Sequence, residues 1–154
     1  MMKTRLFTLL LIVVFSLGAC AQKVVVPDAV MKAFSEKYST VTKVSWEAED
    51  GNFEAEFNLD GIEQSVVYRA DGKWIETEVE VKTANLPAAI HEYIKANYEG
   101  AELEEAEKVE TAEGKVFYEV EVEIEKLFKE TEFDLLFDKN GKFLKLEGDD
   151  DDDD

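Results

Sequence analysis

The stretch Val26–Tyr38, VPDAVMKAFSEKY, returns sixty residues later as Leu86–Tyr98, LPAAIHEYIKANY. Only the proline, one alanine and the final tyrosine are identical. The apolar positions nevertheless correspond: Val30, Phe34 and Tyr38 match Ile90, Ile94 and Tyr98 at i, i+4 and i+8. This spacing puts one apolar stripe on each of two short amphipathic helices. Pro27 and Pro87 stand where each helix begins, because a missing N–H costs nothing in a first turn. Turn-punctuated β pattern follows each copy, so the unit reads as a helix and then strands, used twice.

Working outward, Asp50-Gly51, Asp60-Gly61 and Asp71-Gly72 separate alternating segments. Asp-Gly at such places predicts type I′ hairpin turns, in which both central residues need positive φ. The turns delimit strands near 43–49, 52–59, 62–70 and 73–81. Folding each pair about its turn sets Trp46 opposite Ala55, Val44 opposite Phe57, Phe53 opposite Tyr68, Ala55 opposite Val66, and Tyr68 opposite Ile75. These fall on one face, as a consistent register requires, and that face is the predicted floor for the first helix, with Trp46 buried close to Phe34.

Downstream, Glu113-Gly114 and Asn140-Gly141 occupy the equivalent ends. The reversal between the two long central strands is placed at Lys126-Leu127. Val116, Tyr118, Val120, Val122 and Ile124 alternate onto one face with Phe133, Leu135 and Phe137. Before Gly114 the alternation is blurred by Glu105 and Glu107. The fold class predicted is α+β: a tandem repeat of helix plus four-stranded antiparallel meander, with both helices on one face of a single curved sheet. The expected domain runs from 22 to 148, with repeats 26–85 and 86–148; each would be marginal alone.

A helix opening Leu86-Pro87-Ala88-Ala89, an aromatic near its end, and the closing hairpin Phe137-Asp138-Lys139-Asn140-Gly141-Lys142-Phe143 resemble the PepSY-like family of secreted or periplasmic bacterial proteins. Arg69-Ala70-Asp71-Gly72-Lys73-Trp74 carries the same likeness more loosely in the first repeat. The resemblance implies an architecture like that of β-lactamase inhibitory protein and carries over no catalytic residue; inhibition is only a fold-level analogy.

Residues 1–21 read as a signal peptide: Lys3 and Arg5 precede the apolar run Leu6–Leu17, too short to span a bilayer comfortably, and small residues follow. Two readings stand for its exit. Cleavage after Ala21 would leave a mature chain without cysteine. Alternatively, Leu17-Gly18-Ala19-Cys20 resembles a lipobox in which Cys20 is lipidated. Both place the protein outside the cytoplasm, periplasmic or secreted, and touching membrane only through such an anchor.

The 154 residues carry Lys+Arg 17 against Asp+Glu 36, a formal net charge of −19. This argues against nucleic acid and anionic membrane surfaces and favours a basic protein partner or divalent cations. The run Asp149–Asp154 reads as a disordered acidic tail. His91 is the only histidine; without a second one, or a soluble cysteine, zinc and triad chemistry lack their groups. Asp138-x-Asn140-Gly141 echoes the opening of a calcium loop but lacks its later ligands, so it reads as a hairpin turn. Nothing marks a carboxylate pair for hydrolysis, and the chain is read as not an enzyme.

One feature remains. Glu119, Glu121, Glu123 and Glu125 alternate outward on one strand, and Glu130, Glu132 and Asp134 on the next. A reversal at Lys126-Leu127 opposes Glu123 to Glu130, Glu121 to Glu132 and Glu119 to Asp134; a register shifted by two, as the pleat allows, still puts acid against acid at most positions. Such pairs destabilise a sheet by up to about 1 kcal/mol each. Glu119, Glu121, Glu123, Glu130, Glu132 and Asp134 are therefore the candidate site, either for a basic partner docking beside Phe117, Leu136 and Trp74, or for calcium held with the aspartate tail. The competing reading is a solvated face that blocks aggregation.

If Cys20 is lipidated, the native protein partitions into detergent and the Cys20→Ala variant stays in the aqueous phase. A soluble native protein beginning at Gln22 would remove the lipobox reading.

Overall fold

The structure, a computed structural model, describes residues 24–126 and 129–147. The predicted signal segment with Cys20, the aspartate tail 149–154, and Leu127 of the expected reversal lie outside the described residues. Helix α1 spans Asp28–Lys37 and α2 spans Ala88–Asn97. Eight strands form one sheet in sequence order, every neighbour antiparallel. They are β1 (Ser45–Glu49), β2 (Asn52–Leu59), β3 (Ile62–Arg69), β4 (Trp74–Glu80), β5 (Glu102–Thr111), β6 (Val116–Lys126), β7 (Lys129–Asp138) and β8 (Phe143–Glu147). A single 3-10 turn, Thr83–Asn85, carries the chain from β4 towards α2. None of the described helices is long and apolar enough to cross a membrane.

The two helices are built alike. Pro27 and Pro87 are the residues just outside the first turn, both with extended ψ. Their carbonyls accept the first helical bonds, from Val30 and Met31 N–H at 3.0 Å and from Ile90 N–H at 2.9 Å. Each helix ends on the tyrosine the repeat shares: Tyr38 N–H donates to Phe34 O and Tyr98 N–H to Ile94 O, both at 2.8 Å.

Two apolar clusters hold helices to strands. In the first, Val30 and Phe34 of α1 pack with Tyr38, Ala55, Phe57, Val66 and Tyr68, all buried. Phe34 meets Trp46 and Phe57 edge-on at 5.3 Å. In the second, Ile90 and Ile94 of α2 pack with Ala106, Val120, Val122, Phe133, Leu135 and Phe137. Such aromatic contacts add about 0.5–1.5 kcal/mol beyond area burial.

Most of the predicted first-half register is present: Trp46 pairs Ala55, Phe53 pairs Tyr68, and Ala55 pairs Val66. Trp46 is half-buried, so its expected full burial is corrected; its ring still packs on Phe34. Val44 lies just outside β1, against the first cluster. Asp50 and Asp60 have positive φ, as do Gly51 and Gly61, which is the type I′ pattern. Asp71-Gly72 departs from it, because only the glycine is left-handed. Arg69 N–H donates to Lys73 O and Gly72 N–H to Arg69 O, closing a three-residue loop. That extra residue makes Ile75 a bulge and sets Tyr68 opposite Trp74, not Ile75. Trp74 is thereby turned into the first cluster, its Nε1–H donating to Thr77 Oγ1 at 2.9 Å. Trp74 does not lie on the acidic face.

The Asp138–Lys142 turn repeats this geometry bond for bond: Asp138 N–H to Lys142 O and Gly141 N–H to Asp138 O, both 2.8 Å. It sets Phe137 opposite Phe143 with Leu144 as the bulge. Both turns butt against the first turn of a helix. A Cβ on Gly72 would stand 2.6 Å from Ala29 O, and one on Gly141 would stand 2.9 Å from Ala89 Cβ. Another bulge, between Leu103 and Ala106, turns both of those residues inward. This is why Glu105 and Glu107 break the alternation of β5.

Gly72→Ala and Gly141→Ala are expected to destabilise the fold more than Gly114→Ala. All three force alanine to a positive φ, which costs about 1–2 kcal/mol. The first two add a steric clash, worth about 1–3 kcal/mol more, whereas nothing lies within 4 Å of a Cβ at Gly114. Urea denaturation of the three variants measures the difference; equal losses would refute the close helix–turn contact.

Candidate functional site

Alternate residues of each strand build each face of the sheet, and the register runs the rows of one acid-rich face across the molecule. One row passes from Glu80 through Glu107, Glu119 and Leu136 to Lys145. The next passes from Glu56 through Ser65, Glu78 and Val109 to Phe117 and Asp138. A third joins Glu47, Glu54, Val67, Glu76 and Thr111.

The acids singled out from sequence do face one another, in a register displaced by two residues. Glu123 stands opposite Glu132, Glu121 opposite Asp134, and Glu119 opposite Leu136. The expected oppositions of Glu123 with Glu130, Glu121 with Glu132 and Glu119 with Asp134 are therefore corrected. Lys126 pairs with Lys129, so the reversal comes one residue later than placed from sequence. Glu130 is set opposite Glu125 by the backbone; its side chain lies outside the described residues. Both registers put Val120, Val122, Phe133 and Leu135 on the same face, so alternation could not choose between them.

Perturbed acids also lie in the other half, at positions the sequence reading passed over. Glu78 is 2% exposed, Glu76 is 6% and Ser65 is 4%. Ser65 Oγ donates to Glu78 Oε2 at 3.0 Å. Burial, reinforced by Glu107, Glu54 and Glu76, pushes the Glu78 carboxyl up to about 10, against a weaker downward pull from Ser65. Glu54 is raised by burial and by Glu56, Glu47 and Glu76, although Ser65 opposes this. Glu76 is raised by burial and by Glu113. Glu54 Oε1 and Thr111 Oγ1 are buried with no hydrogen-bond partner. The signal was present in Glu54-Ala55-Glu56 and Glu76-Thr77-Glu78-Val79-Glu80, whose outward acids meet through the Asp-Gly register.

Val67, Val109 and Phe117 give this acidic face an apolar middle. Val109 is 5% exposed, and Val67 and Phe117 are half-buried. Leu136, expected beside Phe117, is present on the same face and half-buried. An apolar centre ringed by charge suits recognition of a macromolecule. Burial holds the Glu78 carboxyl up, which makes it a poor base for the Ser65 hydroxyl that donates to it. Among the described residues no three His, Cys, Asp or Glu side chains converge to hold a metal ion. Asp138 instead caps its own turn, accepting from Asn140 N–H at 2.8 Å and Lys142 N–H at 2.9 Å. His91 sits half-buried on α2.

Residues 51–145 match the family described as "Putative beta-lactamase-inhibitor-like, PepSY-like". No curated protein is detectably similar. Among solved structures, a BLIP-like protein of Bacteroides fragilis is 26% identical with a TM-score of 0.65, over 83% of this chain and 92% of its own. A DUF2874 family protein of Bacteroides uniformis is 21% identical with a TM-score of 0.70, over 78% and 87% respectively. A Bacteroides eggerthii protein described as "putative periplasmic" is 20% identical with a TM-score of 0.71, over 79% and 88%.

Because Glu78 is held up to about 10 in the fold, it is protonated when folded and ionised when unfolded across neutral pH. The stability it lends is therefore whole below the unfolded value of 4.5 and is lost as pH rises towards 10. Glu78→Gln should raise the melting temperature at pH 8 and bring little gain at pH 4.5. Thermal melts of both proteins at both values check this; a gain independent of pH would show that Glu78 is not held protonated.

Proposed function

The chain belongs to the PepSY-like, β-lactamase-inhibitor-like family, and from that premise we propose that it is a non-catalytic extracytoplasmic binding module. It engages a basic protein partner through the sheet face opposite the apolar clusters. The observation that carries this reading is the continuous run of acidic rows around Val67, Val109 and Phe117. Opposite charge steers such a partner to the face and sets its register, while the apolar middle supplies the contact energy.

The same proposal takes the chain as two tandem copies with both helices on one side of the sheet. Support comes from the Gly72–Ala29 and Gly141–Ala89 contacts, which occupy corresponding places. Register supports it too: Val66 pairs Thr77 and Thr77 pairs Glu110, leaving Ala106 of the second cluster on the side of the first. A periplasmic location is in keeping with the B. eggerthii relative, and lipidation at Cys20 remains part of the proposal. The calcium alternative has weaker support, since the described carboxylates form no metal cage.

A photo-crosslinking residue at Phe117 should capture a protein from an extract of the native cell envelope, with the adduct lost at high salt. One at Met31, exposed on α1, should capture none. The reverse pattern would overturn the assignment of the face. Millimolar calcium should leave the melting temperature unchanged.

A further inference from the structure

Between β2 and β4, on the acidic face, Val67 lies with Glu54 on one side and Glu76 on the other, and Thr111 stands beyond Glu76. Strand spacing separates the Glu54 and Glu76 backbones by about 10 Å, so the valine forms a floor between two walls. Those walls are short of donors. Glu76 is 6% exposed, and burial and Glu113 raise its carboxyl. Glu54 Oε1 and Thr111 Oγ1 are buried without partners. A serine hydroxyl has one proton to give; Ser65 Oγ donates it to Glu78 Oε2 at 3.0 Å, and its pull on Glu54 only partly offsets the upward push of burial there. Buried acceptors left in this state cost about 1–3 kcal/mol each, and burial together with neighbouring acids holds Glu54 and Glu76 above the ordinary carboxylate range. Val67, Glu54 and Glu56 are half-exposed, which leaves the way in from solvent open over the valine.

We propose that this patch receives one arginine side chain of the partner, its alkyl stem laid on Val67 and its guanidinium between the Glu54 and Glu76 carboxyl groups. The inference rests on the sheet-face reading above and adds the chemistry that the face selects. A guanidinium is planar, stays charged, and carries five donors in a fixed fork, so it satisfies acceptors on two sides at once. An ammonium is a compact point charge and reaches fewer of them. A divalent cation needs several oxygens converging on one point, and these do not converge. The stem of an arginine lies well on an apolar floor, which Val67 supplies.

The test is an NMR titration of the isotopically labelled full chain with an acetylated Gly-Arg-Gly amide, beside its citrulline counterpart, which keeps the shape and loses the charge. The arginine peptide should shift the amides of Glu54, Val67 and Glu76 saturably, and citrulline should bind at least tenfold more weakly. Glu54→Gln and Glu76→Gln should each weaken binding at least tenfold, and Glu121→Gln less than twofold. Val67→Lys, which seats a cation on the floor from within, should raise the melting temperature and abolish peptide binding; this keeps the proposal exposed should a Gln variant fail to fold. Equal binding of both peptides, or the same shifts from calcium chloride alone, would overturn it. Saturable shifts confined to Glu121, Glu123 and Asp134 would overturn it while leaving the sheet-face reading intact. Absence of saturable shifts on the patch would also overturn it, and the crosslink at Phe117 then decides the broader reading separately.

Discussion

The distance between helices and sheet is set by two glycines. Gly72 and Gly141 close three-residue hairpin loops and lie against the first turn of α1 and α2, where no Cβ fits beside Ala29 or Ala89. Because the loop backbone touches the helix, Val30 and Ile90, one residue further on, reach the sheet and are fully buried. The same loops make the bulges that turn Trp74 and Phe143 towards the helices. Trp74 then lies under Lys37, whose Nζ stands 4.9 Å from the ring centroid, and Phe143 stacks on Tyr93 at 4.6 Å. One steric constraint thus orders the backbone turn, the bulge and the aromatic packing on each side of the molecule.

The halves meet in the pairing of β4 with β5, from Glu76–Thr111 to Glu80–Glu107. This seam makes one sheet of eight strands and brings acids of both halves together, with Glu78 between Ser65 and Val109 at its edge. Its cost is electrostatic. Burial first, then Glu107, Glu54 and Glu76, oppose ionisation of Glu78, and burial likewise holds Glu54 and Glu76 above the usual carboxylate range. A chain shaped for stability alone would replace such groups with apolar residues of similar volume, as buried ionisable groups tolerate.

The first half was legible because its hairpins carry their own address. Asp50-Gly51 and Asp60-Gly61 admit one tight turn each, and the pairs Trp46–Ala55, Phe53–Tyr68 and Ala55–Val66 follow from them. The reading failed at Asp71-Gly72 because the same dipeptide serves a loop one residue longer, and only contact with Ala29 distinguishes the two. At β6 and β7 no glycine pins the turn, and a shift of two residues keeps every apolar side chain on its face, so alternation left two registers open and the structure takes the shifted one. The acidic site was half legible for a related reason: alternation shows which acids point away from the core, but not which of them are dehydrated.

The sequence by itself determined the two ten-residue helices, through Pro27, Pro87 and the i, i+4, i+8 stripes. It also determined the antiparallel meander, because these are local matters of turn geometry and side-chain period. Only the tertiary structure decided the bulges at Ile75 and Leu144, the register of β6 on β7, and the burial of Glu76 and Glu78. Those depend on helix–turn contact and on neighbours two strands away. Burial of a charge is a property of everything packed around it, and no local pattern along the chain records that.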